Sequence, residues 1–349
     1  MKKILIITTS LNTRGGISAV VNAHLTSNLY NQFNVEIIET HIDKSNTIKI
    51  YYLIKSFFKF TFHVFSCDVV HLHFSEPVSL IRKIPFVIFS SMLNKFIVSH
   101  LHAPGHIPEL NKNYHFLYNY IFTKSNQIIV LSKTWKNMVI SDFKINKNKV
   151  HAISNPCTPI ISKVPFVKKK QILFAGSLIA RKNYKTLICA FSKIIKDFPD
   201  WKLIICGNGE LDVAKELVTE LKINNNVEFL GWVRGQSKHK VFSEASIFCL
   251  PSFAEGLPMA ILDAFSYHIP VISSKVGGIV DFVSHNHDVL LFDPNSIDEL
   301  YVCLKRIITD ESLKNKLTNG SIYMSKNIFS ISNIEKEMLK IYKKCKHEY

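Results

Sequence analysis

Strand-like apolar runs, each followed by a stretch with helical spacing, recur through the first half of the chain. They fall at Lys3 to Thr9, Val35 to Glu39, Asp68 to Leu72, Phe96 to His100 and Gln127 to Leu131. Alternation of this kind predicts a parallel sheet with helices on both faces. It stops between Val150 and Lys170, where Pro156, Pro159, Pro165 and the run Lys168, Lys169, Lys170 read as a linker. A second series opens with QILFAGS at Gln171 and continues at Trp201, Val227, Ala245 and Ile269. The expected fold class is therefore α/β, with two Rossmann-like doubly wound domains facing a cleft. Residues 1–160 form the first, 161–330 the second, and 331–349 carry a last helix that is a candidate to pack back on the first. Open α/β sheets bind ligands at the C-terminal ends of their strands, so the chemistry is sought there.

Length and composition fit this plan. The 349 residues are about twice the commonest domain size. With 47% apolar and 20% charged residues, the chain can fill two cores and is not of the disordered class. Seven scattered cysteines without a C-x-x-C pair suggest buried thiols in a reducing compartment. MKKILIITTS reads as a first strand and not as a signal peptide. No uncharged stretch reaches the roughly 18 residues that span a bilayer. The expected location is the cytoplasm, with peripheral attachment to the inner face of the cytoplasmic membrane open.

Charge narrows the partners. Of the net +16, residues 1–165 hold 18 Lys+Arg against 7 Asp+Glu, and the remainder holds 25 against 20. Nucleic acid, anionic lipid and phosphate-bearing substrates would all suit such an excess. No nucleic-acid motif accompanies it, so no nucleic-acid partner is expected. Between Ile48 and Phe65, Lys49, Lys55, Lys59 and His63 fall within about 120° of a helical wheel, the rest being mostly apolar. Two readings stand equal: a helix lying on an anionic membrane surface, and a helix packed between sheet and solvent with a narrow polar face.

The segment from Pro251 to Phe265 carries most of the candidate chemistry. A strand ends, Glu255 and Gly256 make a turn, and a helix begins near Pro258. Such a helix N-terminus suits a diphosphate. Glu255 and Asp263, eight residues apart, offer acceptors for hydroxyls of a sugar and a ribose; a capped helix with a surface Glu is the plainer reading of the same string. After Gly176, Arg181 and Lys182 stand before the next helix and could bind two phosphates and offset leaving-group charge. Gly15 and Gly16 follow the first strand and allow close backbone approach of a ligand. They are not a G-x-G-x-x-G fingerprint, which argues against a dehydrogenase. His71 with His73, and His100 with His102, put ring pairs on one strand face. A metal site there is conceivable, although no third ligand has recognisable spacing.

Together these pieces resemble the retaining, nucleotide-sugar-dependent glycosyltransferases of the GT-B fold, family 4. The family's Glu-x7-Glu motif is matched by Glu255 and, one methylene shorter, Asp263; the likeness extends to Gly15 and Gly16, to Gly176 through Lys182, and to Gly207-Asn-Gly-Glu. It implies a hexosyl transfer with retention, a nucleotide-sugar donor on the second domain, an acceptor on the first, and no metal or other cofactor. Glu255 would hold donor-sugar hydroxyls, Lys182 and Arg181 the diphosphate and Asp263 the ribose. His102 would touch the sugar near the reacting carbon. Gly16, Gly207, Gly256 and Leu257 complete the expected donor set, and Gly15, His73 and His100 the acceptor set. The family's usual Arg after Gly176 is Ser177 here, so either Arg181 substitutes or one phosphate contact is missing. Asn155-Pro156 resembles the segment that closes the first domain, with Cys157 in place of glycine. The implied acceptor is a saccharide, lipid-linked as in surface polysaccharide or O-antigen assembly. A nucleotide-sugar epimerase of the same plan and a non-catalytic nucleotide-sugar binder are the alternatives.

Overall fold

The computed structural model describes residues 1–103, 113–160 and 166–345. Pro165, part of the expected linker, and Pro104 and Gly105, which close the SHLHAPG segment, lie outside the described residues. The chain divides into two compact units, Met1–Pro156 with Ile331–Tyr349, and Cys157–Ser330.

Unit 1 runs β1 (Lys3–Thr8), α1 (Gly16–Leu25), β2 (Asn34–Glu39), α2 (Asn46–Val64), β3 (Val69–Phe74), α3 (Pro77–Met92), β4 (Phe96–Leu101), α4 (His115–Lys124), β5 (Gln127–Val130), α5 (Lys133–Asp142) and β6 (Val150–Ala152). Its strands form one sheet in the order β2-β1-β3-β4-β5-β6, each described pair being parallel. All six residues of β3 are buried, as expected of a central strand covered on both faces. One face meets Phe60, Phe86, Tyr118 and Phe122. The other presents Ile4, Ile6, Val69 and Val98 to Ile334, Met338, Ile341 and Tyr342 of the last helix, α12 (Ile331–Lys343). Those four recur at helical spacing, so α12 carries its own apolar stripe and completes the core of the unit that contains the first residues of the chain.

Unit 2 comprises β7 (Lys169–Ala175), α6 (Tyr184–Asp197), β8 (Lys202–Cys206), α7 (Leu211–Glu220), β9 (Val227–Gly231), α8 (Gly235–Glu244), β10 (Ala245–Leu250), α9 (Met259–Ser266), β11 (Val271–Ser274), β12 (Leu290–Phe292), α10 (Ile297–Thr309) and α11 (Glu311–Tyr323). The sheet order is β12-β11-β10-β7-β8-β9, again parallel throughout its described pairs.

The α/β class with two doubly wound parallel sheets is thus observed. Three strands depart from the sequence reading. β6 lies inside the stretch read as linker, β12 falls outside the expected runs, and Lys169 and Lys170 belong to β7. Three-residue edge strands such as β6 and β12 bury too few side chains to leave a periodic signal. Among the described residues, no helix is long and apolar enough to cross a membrane.

Candidate functional site

In unit 2 the strand order reverses between β7 and β10, so the loops leaving these neighbours open a crevice at their C-terminal ends. After β7 the chain makes a 3-10 turn at Ala180–Lys182 and enters α6 through Asn183, whose left-handed backbone (φ 53, ψ 34) a short polar side chain tolerates. The Asn183 amide donates to the carbonyls of Pro251 at 3.0 Å and Pro294 at 2.8 Å, and Phe253 N donates to Arg181 O at 2.8 Å. These bonds stitch the two loops together.

Three candidate side chains meet as a result. Lys182 Nζ lies 2.5 Å from Glu255 Oε1, and Arg181 Nη1 lies 3.7 Å from Oε2 while donating to Ala254 O at 2.8 Å. Ser252 Oγ donates to the same Oε1 at 2.6 Å. Glu255 is only 6% exposed. A carboxylate so enclosed is retained as an ion only where charge and hydrogen bonds replace its water, which is what the two cations and the hydroxyl supply. Arg181 is the more exposed cation, with 32% of its side chain accessible against 14% for Lys182, so Lys182 fixes the acid while Arg181 faces outward.

Glycines let the backbones come this close. A β-carbon on Gly277 (φ 67) would stand 1.9 Å from Glu255 O, and Gly278 N donates to Gly256 O at 2.6 Å. A β-carbon on Gly207 would stand 1.8 Å from Gly176 O, and Gly176 N donates to Cys206 O at 2.9 Å. Gly207 therefore lies directly against the loop that carries Arg181 and Lys182. Leu257 is buried, and Pro258 is the residue before α9 and not part of its first turn. Asp263, on α9, pairs with Lys238 of α8 at 2.7 Å, so its described partner is a cation outside the Glu255 cluster.

In unit 1 the order reverses between β1 and β3. Gly15 (φ 155) precedes α1, and a β-carbon on either Gly15 or Gly16 would meet open space. The loop is therefore open to a ligand, and only Gly15 needs its glycine for backbone reasons. The parallel register sets His73 opposite His100, which gathers His71, His73, His100 and His102 into one cluster with ring centroids 4.0 to 5.5 Å apart. His73 Nδ1 bonds His102 Nε2 at 2.9 Å, and His71 Nδ1 bonds the Tyr342 hydroxyl at 2.8 Å.

Burial dominates these rings. It pushes His71 down to about 3 and holds His73 and His100 well below the ordinary imidazole range, with mutual repulsion adding to it. His24 on α1, also buried, is lowered to about 4. Neutral imidazoles are the form that ligates a metal, and one nitrogen each of His71, His73 and His100 lies within 4.8 Å of the others. His73 and His100 are 0% and 2% exposed, so the acceptor contact expected of them is corrected: they lie beneath the partly exposed His102 and support its ring.

Sequence reasoning missed Ser252, Asn183, Lys238, His24, Tyr342 and the glycines at 277 and 278. It also missed Lys83, which is fully buried and donates to Thr8 O at 3.3 Å and to Thr40 Oγ1. Only the Gly277-Gly278 pair after β11 left a readable signal; the others depend on contacts between distant segments.

Residues 159–322, which span β7 to α11 and hold Arg181, Lys182 and Glu255, match the family described as glycosyl transferases group 1. The chain carries a group 1 glycosyltransferase domain. Over 205 residues, 57% of this chain and 56% of the relative, the protein is 30% identical to the GalNAc-α-(1→4)-GalNAc-α-(1→3)-diNAcBac-PP-undecaprenol α-1,4-N-acetyl-D-galactosaminyltransferase of Campylobacter jejuni. The first curated relatives are matched over 56 to 60% of their own length. Among solved structures, sucrose-phosphate synthase from Thermosynechococcus elongatus aligns with a TM-score of 0.80 at 16% identity, covering 99% of both chains. Anabaena HepE in complex with UDP and glucose aligns at 0.77 and 17%, covering 99% of this chain and all of that one. At such identities the group 1 domain and its companion unit share a fold with these structures, the two-Rossmann GT-B plan.

Proposed function

We propose that the protein is a retaining hexosyltransferase that moves a sugar from a nucleotide-diphosphate sugar to a lipid-linked saccharide during assembly of a surface polysaccharide such as an O-antigen. The observation that carries this reading is the Lys182–Glu255 pair, with Arg181 beside it, at the strand-order reversal of the group 1 domain. A carboxylate and two cations at one crevice match the two halves of such a donor: hydroxyls on the sugar and negative charge on the diphosphate.

In this reading Glu255 accepts from donor-sugar hydroxyls, and Arg181 and Lys182 bind the diphosphate. Their charge offsets that which grows on the departing nucleotide, so turnover needs no metal. Gly207, Gly256 and Leu257 shape the crevice, Gly16 gives the donor phosphate backbone access, and Asp263 releases Lys238 to hold the ribose. His102 touches the sugar near its anomeric carbon, and Gly15 stands on the acceptor side. The relative from Campylobacter jejuni supports an undecaprenol-linked acceptor, and HepE supports a uridine nucleotide.

The test is donor binding followed by turnover. A panel of nucleotide sugars is screened by thermal shift, since a ligand that prefers the folded state raises Tm. The stabilising donor is then assayed with an undecaprenyl-diphosphate saccharide, with and without EDTA. Transfer unaffected by EDTA is expected. Conversion of the donor to an epimer without acceptor would overturn the transferase reading.

A further inference from the structure

The solvent face of α2 is not the lysine stripe that the wheel singles out. Lys59 and His63 turn to the flank of β2, where both meet Glu36, at 3.3 and 2.6 Å. What faces outward is Tyr51, Ile54, Phe58 and Phe62, spaced three, four and four residues apart, with Phe62 79% exposed. α3 repeats the arrangement with Val78, Ile81 and Ile88 exposed along one side. The two helices interlock on their inner faces, where the Phe57 and Phe60 rings meet Phe86 at 5.4 and 5.0 Å. Each is thus apolar within and apolar without. A helix that needs only one buried stripe to fold carries two, and the second has no internal use.

Charge identifies the occupant. The helices α2 and α3 themselves contain Lys49, Lys55, Lys59, Arg82 and Lys83 and no Asp or Glu, Lys83 being buried, while Glu76 caps the start of α3. Lys55 is exposed next to Ile54, and Lys59, though paired with Glu36, is exposed next to Phe58. Aromatic and aliphatic side chains bordered on α2 by the exposed Lys55 and Lys59 match an anionic bilayer surface, whose headgroups attract the cations while the apolar stripe enters the acyl boundary. A protein partner of ordinary mixed charge would leave such a face without its complement.

We propose that the paired outer faces of α2 and α3 form a docking surface that seats unit 1 on an anionic membrane by shallow insertion of Phe58, Phe62 and their neighbours. This goes beyond the transfer reaction, since the surface docks whether or not the crevice of unit 2 turns over.

Flotation of the full chain with vesicles of phosphatidylcholine, with and without phosphatidylglycerol, tests it. The protein should float with phosphatidylglycerol vesicles and several-fold less without the anionic lipid. A double substitution, Phe58→Ser with Phe62→Ser, should lower the bound fraction about tenfold, and Lys55→Glu with Lys59→Glu should abolish the preference for anionic lipid. The substituted side chains are exposed, so circular dichroism and thermal shift with the donor nucleotide should remain those of the parent. That second readout reports donor binding, to which neither α2 nor α3 contributes a proposed contact, so failure of docking and failure of the donor site are told apart. No flotation with either vesicle overturns the proposal. So does a dimer, seen by light scattering and lost in the Phe58→Ser, Phe62→Ser variant, because a second copy would then cover the face.

Discussion

The carbonyl oxygen of Glu255 occupies the space that a side chain on Gly277 would need, 1.9 Å from the position of its β-carbon. The acid of the candidate site is thus located by a residue 22 positions later, on the loop after β11. Gly277→Ala brings a strained backbone, since φ is 67, and a clash with main chain that cannot be relieved by turning a flexible side chain. The loop holding Glu255 must shift. Donor affinity should fall at least tenfold while the circular dichroism spectrum is kept, as isothermal titration with the stabilising nucleotide sugar would reveal. Unaltered affinity would separate Gly277 from the site.

Lys182 has two separable jobs, and a pair of variants distinguishes them. Lys182→Met leaves Glu255 buried with Arg181 at 3.7 Å as its remaining cation. Breaking a buried pair from one side typically costs about 3–5 kcal/mol. Turnover should also drop, on the order of 10²–10³-fold, because leaving-group charge loses a positioned cation. Adding Glu255→Gln removes the stranded charge. Stability should then recover most of its loss in urea titrations, and activity should not. Recovery of both would mean that the pair is structural only.

Much of this was legible in the chain and some was not, for identifiable reasons. Runs such as Lys3 to Thr9 and Gln171 to Ser177 announce parallel strands because central strands are apolar along their whole length. Arg181, Lys182 and Glu255 were legible because each follows such a strand directly, and strand ends at the reversal of sheet order are where loops converge. Ser252 and Asn183 were not, because their value lies in hydrogen bonds across segments that local spacing does not encode. His73 and His100 were placed on the right face and given the wrong exposure. Period-2 alternation reports which face a ring takes, and only the packing of α1 and α12 decides whether that face meets solvent.

The same histidines make unit 1 sensitive to acid. Burial holds His71 at about 3 and His24 at about 4 in the folded protein, with His73 and His100 lowered as well, whereas the unfolded chain titrates near 6.5. Above that value both states are neutral and nothing is lost. Below it the unfolded chain takes up protons that the folded chain refuses, so stability falls as pH falls, down to the folded values. Each such group contributes about 1.4 kcal/mol per pH unit in that window. Urea midpoints should therefore drop steeply as pH falls from 6.5 toward 4, and His71→Gln should flatten the slope. An unchanged midpoint over this range would show that the rings are not buried as neutral imidazoles.

The last helix should be indispensable to the first unit. The hydroxyl of Tyr342, 271 residues beyond His71, shares a hydrogen bond with Nδ1 of that ring at 2.8 Å, and the tyrosine ring packs edge-on to Phe33 at 5.4 Å. Removing the hydroxyl by Tyr342→Phe leaves a buried imidazole nitrogen unpartnered, with a cost of about 1–3 kcal/mol. Met338, fully buried between the same helix and the sheet, should cost about 2–5 kcal/mol on truncation to Ala through the cavity it leaves. Both losses fall on unit 1, so hydrogen exchange should speed in β1 and β3 while β7 and β10 keep their protection. Equal acceleration in all four strands would mean that α12 stabilises the two units as one cooperative body, and would overturn the assignment of its stabilising role to unit 1.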